Sequence, residues 1–102
     1  MLRLFLKGRN SQYDAEATYD IATKEFIVLK GSRVSSAVSD TGKFRSAESV
    51  KKMRETNVKD GKVIKDVCFK SASTAANFVT GSSTNGMLAW KDKDGNNLKE
   101  IL

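Results

Sequence analysis

Apolar and polar positions alternate from the start of the chain. Leu2, Leu4 and Leu6 take turns with Arg3, Phe5 and Lys7, the period-two pattern of a strand with one buried face, and Gly8 ends it. Residues 9–13 read as a polar connection. Ala15, Ala17 and Tyr19 then alternate with Glu16, Thr18 and Asp20, a second half-buried strand. Glu25 to Lys30 is a continuous β-branched and aromatic run, apolar on both faces, which predicts an interior strand. The spacer 21–24 has the length of a hairpin connection. Residues 32–45 hold Ser, Asp, Thr and Gly without periodicity and read as a loop.

A three-residue step replaces the alternation at Ala47, Val50 and Met53 and predicts a helix over 46–56. Ser46 stands where its N-cap belongs, Glu48 suits its first turn, and Lys51, Lys52, Arg54 and Glu55 point outward. Asn57 and Asp60-Gly61 close it with turn chemistry. Over 62–69, Val63, Val67 and Phe69 share one side of a strand, with Ile64 and Cys68 on the other. Cys68 is expected as a small core residue.

The densest stretch follows, Lys70 to Lys91. It predicts a helix over 73–80 capped by Ser73, with Ala75, Phe78 and Val79 on its buried face and Gly81 as the left-handed stop. Asn85-Gly86 reads as a turn needing positive φ. Trp90 reads as a buried anchor ahead of a base-stacking surface, since large aromatics are highly buried on average. Asp94-Gly95 is a second turn, and Leu98, Ile101 and Leu102 end the chain as a final apolar set. Together these elements predict an α+β domain: a small, mainly antiparallel sheet from 2–7, 14–20, 25–31 and 62–69 with two short helices packed on it.

Composition narrows the picture. A chain of 102 residues with 39% hydrophobic content is the size of one domain. It has no apolar run long enough for a membrane span, and Met1–Leu6, broken by Arg3, is too short for a secretory signal. One cysteine forms no internal disulfide, which fits a cytoplasmic protein. The net charge of +6 is unevenly placed: residues 32–70 carry ten Lys/Arg against five acids, whereas the flanking thirds are nearly balanced. On charge alone this fits either a nucleic-acid contact or a solvated surface.

Catalytic signals are absent from the pattern. The sequence has no histidine, so Ser-His, Cys-His and His-containing zinc sets are excluded, and it has no glycine-rich phosphate loop. No cofactor is expected. Ser71 beside Lys70 is explained by the helix start. The chain is therefore expected not to be an enzyme.

With residues 15–33 and 63–99 read, a resemblance emerges. F-I-V-L-K-G-S-R at 26–33, F-K-S-A-S-T-A-A-N-F-V-T-G at 69–81, N-G-M-L-A-W-K at 85–91 and D-G-N-N-L at 94–98 resemble a small bacterial domain of unknown function found C-terminal to nuclease domains of the GIY-YIG type. The Ser-x-Ser-x-Ala-Ala, Gly and Asn-Gly…Trp series is also similar to the restriction-associated, methylase-associated (RAMA) module. The likeness covers about 15–99. Ala72 replaces a proline common between the two serines, and Met87 a position often large or polar; capping and turn logic survive both. The resemblance implies an accessory domain 1–102 linked to DNA cleavage or modification, with an N-terminal nuclease or methylase domain as partner. The Tyr, Arg and Glu set of a GIY-YIG nuclease is not recognisable, so such a domain would lie outside this chain.

The expected function is thus a non-catalytic module that binds or targets DNA. The candidate contacts are Lys30, Arg33, Arg45, Lys51, Arg54 and Lys70, the hydroxyls of Ser71 and Ser73 at a helix start, and Asn85 as an adenine-reading amide. Phe78, Gly81, Gly86 and Trp90 are expected as structural anchors. The alternative is a protein-interaction module that docks on a catalytic partner through Met87 and Leu88.

Overall fold

The structure is a computed structural model, and it describes residues 1–8, 12–36, 38 and 47–102. The fold is α+β. Strands β1 (Leu2–Lys7), β2 (Asp14–Asp20), β3 (Glu25–Val28) and β6 (Val67–Phe69) form an antiparallel sheet in the order β1-β2-β3-β6. Between β3 and β6 the chain builds α1 (Ala47–Asn57) and a hairpin of β4 (Val58–Lys59) and β5 (Lys62–Val63). After β6 come α2 (Ala72–Thr80), α3 (Gly86–Ala89) and α4 (Leu98–Ile101).

One face of the sheet makes the core. Leu4, Leu6, Ala15, Ala17, Phe26, Val28, Val67 and Phe69 are buried there against Ala75, Phe78 and Val79 of α2 and against Trp90. Trp90 is fully buried, its ring centroid 4.9 Å from that of Phe26, and its Nε1 donates to the Ala72 carbonyl at 3.0 Å. The indole therefore has an apolar body in the core and its polar edge satisfied. The other face carries Arg3, Phe5 and Lys7 of β1, Asp14, Glu16 and Thr18 of β2, Ile27 and Leu29 of β3 and its extension, and Cys68 of β6. Cys68 is exposed: the pleat that buries Val67 and Phe69 turns the residue between them outward, so it is no core residue.

The interior strand stops at Val28, short of 25–31, because the chain bulges. Leu29 N–H still reaches the Glu16 carbonyl, but Lys30 N–H turns to Asp66 Oδ1 and Gly31 N–H to the Val63 carbonyl, with Gly31 at φ 92°. Buried Ser32 repairs the gap. Its Oγ accepts from Glu16 N–H at 3.1 Å and lies 3.3 Å from the Glu16 carbonyl, standing in for a backbone ladder pair. Arg33 then rejoins β2 opposite Asp14 and pairs with Lys62 on its other side, so residues 32–35 are extended and bonded where a loop was expected. The single strand expected over 62–69 is two. Asp60 and Gly61, at φ 53° and 78°, turn β4 into β5, while β6 turns to β3 with Phe69 opposite Phe26.

The helix expected over 73–80 begins one residue earlier. Its N-cap is Ser71, whose side chain accepts from Thr74 N–H at 3.1 Å, not Ser73. Gly81 ends it in the left-handed region at φ 73°. Asn85-Gly86 is no positive-φ turn: Asn85 is the N-cap of α3, accepting from Met87 N–H, and Gly86 is its first residue. The candidate cap Ser46 lies outside the described residues.

Candidate functional site

Strand register assembles a feature that no local pattern displays. In the hairpin, Lys59 lies directly opposite Lys62; across the next bridge Lys62 lies opposite Arg33, Arg33 opposite Asp14, and Asp14 opposite Lys7. Residues directly opposite share a face, so these five form one row across the sheet, and all five are exposed. Three cations stand side by side in it. Neighbouring strands lie about 4.8 Å apart, so Lys59, Lys62 and Arg33 span roughly 10 Å.

The pairing within the row is close. Val63 N–H donates to the Ser32 carbonyl and Val34 N–H to the Gly61 carbonyl, both at 2.8–2.9 Å, which makes Arg33–Lys62 a non-hydrogen-bonded pair, the kind whose side chains lie closest. Like charges directly opposite are destabilising by up to about 1 kcal/mol. Asp14 lies opposite Arg33 and Asp60 sits in the turn, yet among the described residues the ion pair formed is Arg3–Glu16 at 2.6 Å, away from the three cations. Asp14 thus flanks the three cations at the Arg33 end, while Lys62 stands between two like charges.

Arg33 also borders an open cleft of about 1180 Å³ between α1 and the hairpin, together with Ser35, Lys51, Arg54, Glu55 and Asp60. Here one sequence expectation is corrected. Arg54 does not point outward; its Nε and Nη2 donate to the Phe78 carbonyl at 3.0 and 2.8 Å, Nη2 also to Val79 at 3.2 Å, and Nη1 to the Ser35 carbonyl at 2.8 Å. Phe78 and Val79 belong to the last turn of α2, whose carbonyls lack helical partners, so the guanidinium acts as a cationic C-cap supplied by another helix. Burial holds it below its ordinary pKa. With its donors engaged on the protein, it is not placed to grip a phosphate.

The other candidates are dispersed. Lys30 sits where the bulge leaves the sheet, and Lys70 follows Phe69, which pairs with Phe26; the two therefore occupy opposite ends of β3 and β6. Ser71 is engaged as the cap of α2. Ser73 Oγ accepts from Gly86 N–H at 3.0 Å, pinning α3 to the start of α2, and the Asn85 carbonyl oxygen is engaged inside α3. Arg45 lies outside the described residues. The structure thus brings Arg33, Lys51 and Arg54 to one region and separates Lys30, Lys70, Ser71, Ser73 and Asn85 from it. Lys7, Lys59 and Lys62, which the register adds to the row, are not among the candidates read from the sequence. K-D-G-K at 59–62, a two-residue hairpin signal, would have placed the last two opposite one another.

Among the described residues no three Cys, Asp or Glu side chains are grouped to hold a metal ion, and no helix is long and apolar enough to cross a membrane. A family model for a domain of unknown function (DUF4357) matches residues 6–102, reaching further at both ends than the likeness over 15–99. No curated protein and no solved structure matches the chain.

Proposed function

Since the chain belongs to the DUF4357 family of domains of unknown function, we propose that it is a non-catalytic accessory module that binds DNA through the cation row Lys59–Lys62–Arg33. The observation that carries this reading is the like-charge register that sets Lys62 between Lys59 and Arg33, with Asp14 flanking the row at its Arg33 end. Folding alone would favour an acid or a neutral residue beside Lys62, which has a cation on either side, whereas a phosphate backbone, with one charge per roughly 1.7 Å of duplex, offsets all three cations at once. The resemblance to domains that follow GIY-YIG nucleases, and to RAMA modules, supports a role in placing a nuclease or methylase on its substrate.

The test is fluorescence anisotropy with labelled duplex and single-stranded DNA over a salt series. Three phosphate contacts give a slope of about −2.7 in log K against log salt, which is roughly a 40-fold loss between 50 and 200 mM. Binding that ignores salt, or no binding up to about 100 μM at low salt, contradicts the reading. The protein-interaction reading rests on Leu88, 48% exposed on α3 beside half-buried Met87. It predicts that Leu88→Ala weakens capture of a catalytic partner and leaves DNA affinity unchanged.

A further inference from the structure

Phe5 occupies an unusual place for a phenylalanine. Phe26, Phe69 and Phe78 are in the core, whereas Phe5 lies half-buried on the opposite face of the sheet, between fully buried Leu4 and buried Leu6. It has no ring partner among the described residues. It stands two residues before Lys7 on the face that carries the cation row. Open depressions lie to either side of it, one of about 490 Å³ bordered by Lys7, Ala89, Lys91, Asp92 and Lys93, the other of about 400 Å³ bordered by Lys7, Asp14, Glu16 and Lys30. Each has room for a flat ring beside the phenyl group, and each is edged by ammonium groups.

We infer that this sheet face takes single-stranded nucleic acid, with Phe5 stacking on an unpaired base. The inference rests on the DNA-binding reading and names the form of strand it favours. Sequence-tolerant single-strand sites combine a basic track for the backbone with an aromatic on which a base stacks, and both elements are on this surface. Lys59, Lys62 and Arg33 supply the track at one end, and Lys7, Lys30 and Lys91 surround the aromatic at the other. Asp14 divides the two. Its carboxylate repels a phosphate at that point and can accept from a base N–H, so the strand is expected to present a base there. Glu16 is held by Arg3, and Asp92, which borders the first depression, has its carboxylate engaged by the Asp94 and Asn96 N–H groups of its own loop. A duplex keeps its bases stacked on one another and gains only from the basic track.

The experiment compares the full chain binding a labelled 12-nucleotide oligothymidylate, the same strand made wholly abasic, oligouridylate, and a 12-base-pair duplex at one salt concentration. The expected result is that the base-bearing strand binds about tenfold or more tightly than the abasic strand, within the range of one stacked base. Phe5→Ala brings that ratio near one and leaves abasic and duplex affinities within about threefold of wild type. Phe5→Leu, which keeps an aliphatic side chain at the site, carries the same comparison if circular dichroism shows that the alanine variant is unfolded. Uridylate binding as tightly as thymidylate supports a site for either sugar; weaker binding supports one for DNA. Equal affinity of wild type for base-bearing and abasic strands overturns the stacking inference and leaves the cation row standing. No binding to any of the four overturns both.

Discussion

The guanidinium of Arg54 meets the main-chain oxygen of Phe78 through two nitrogens, at 3.0 and 2.8 Å, so a cation from α1 closes the C-terminal end of α2. The same group holds Ser35 through its carbonyl and hydroxyl. Three segments distant in sequence are thereby fixed by one planar fork of donors. Arg54→Ala is expected to destabilise the domain by about 2–4 kcal/mol, since it strips charged hydrogen bonds from carbonyls that water reaches poorly. Arg54→Lys recovers less than half, because a single ammonium cannot span the three carbonyls. Urea denaturation checks both values. An alanine variant with unchanged midpoint would return Arg54 to the list of free surface cations.

Gly86 is required for a different reason from the one its Asn-Gly context suggests. A Cβ there would come within 2.2 Å of the Ala72 carbonyl carbon and 2.4 Å of Ser73 N, both main-chain atoms that cannot turn aside. Gly86→Ala must push α3 off α2 and is expected to cost about 3 kcal/mol. Gly31→Ala meets nothing within 4 Å and suffers only from its φ of 92°, so its cost is about 1–2 kcal/mol. Thermal unfolding of the two variants gives the order directly.

The serines at 71 and 73 divide the work that sequence logic assigned to one of them. Ser71→Ala removes a helix cap at about 1 kcal/mol. Ser73→Ala leaves the Gly86 N–H without its acceptor. Amide hydrogen exchange separates the roles: Gly86 N–H is expected to exchange faster in Ser73→Ala and to keep its wild-type rate in Ser71→Ala.

Asp92 gives the fold an acid-sensitive corner. Asn96 N–H, the Asn96 side chain and Asp94 N–H bond its carboxylate, and the Asn96 amide bond leads in holding its pKa below the ordinary carboxylate value. A folded pKa below the unfolded one means stability that is fully present above the unfolded value and is lost as pH falls through the folded value. Asp92→Asn is expected to flatten that part of the acid limb. Urea midpoints measured between about pH 5 and pH 2 test it, with the chemical shift of the Asp92 carboxyl carbon reporting the titration itself.

What the sequence disclosed follows the range of the forces involved. β1 and β2 were legible because one face of each is buried and period-two alternation records it residue by residue. Gly81 was legible because a left-handed stop is a local demand. The end of β3 was not, since the bulge depends on Ser32 reaching Glu16, sixteen residues away. Arg54 was misread because helical periodicity orients a side chain about its own axis and is silent on the end of a neighbouring helix. The cation row was hidden for a similar reason. Arg33 and Lys62 are neighbours only through a bridge between distant segments, and composition reports their charges without their register.

The most direct test of the central claim reverses charge on and off the row at equal cost in net charge. Lys59→Glu/Lys62→Glu and the exposed off-row pair Lys52→Glu/Lys65→Glu each change the charge by the same amount. Anisotropy with one labelled DNA oligonucleotide at low salt compares the two with wild type. The on-row variant is expected to bind at least about tenfold more weakly and to lose about two units of salt slope, while the off-row variant stays within about threefold. Equal losses in the two variants would show a diffuse response to net charge and contradict a site built on Lys59, Lys62 and Arg33.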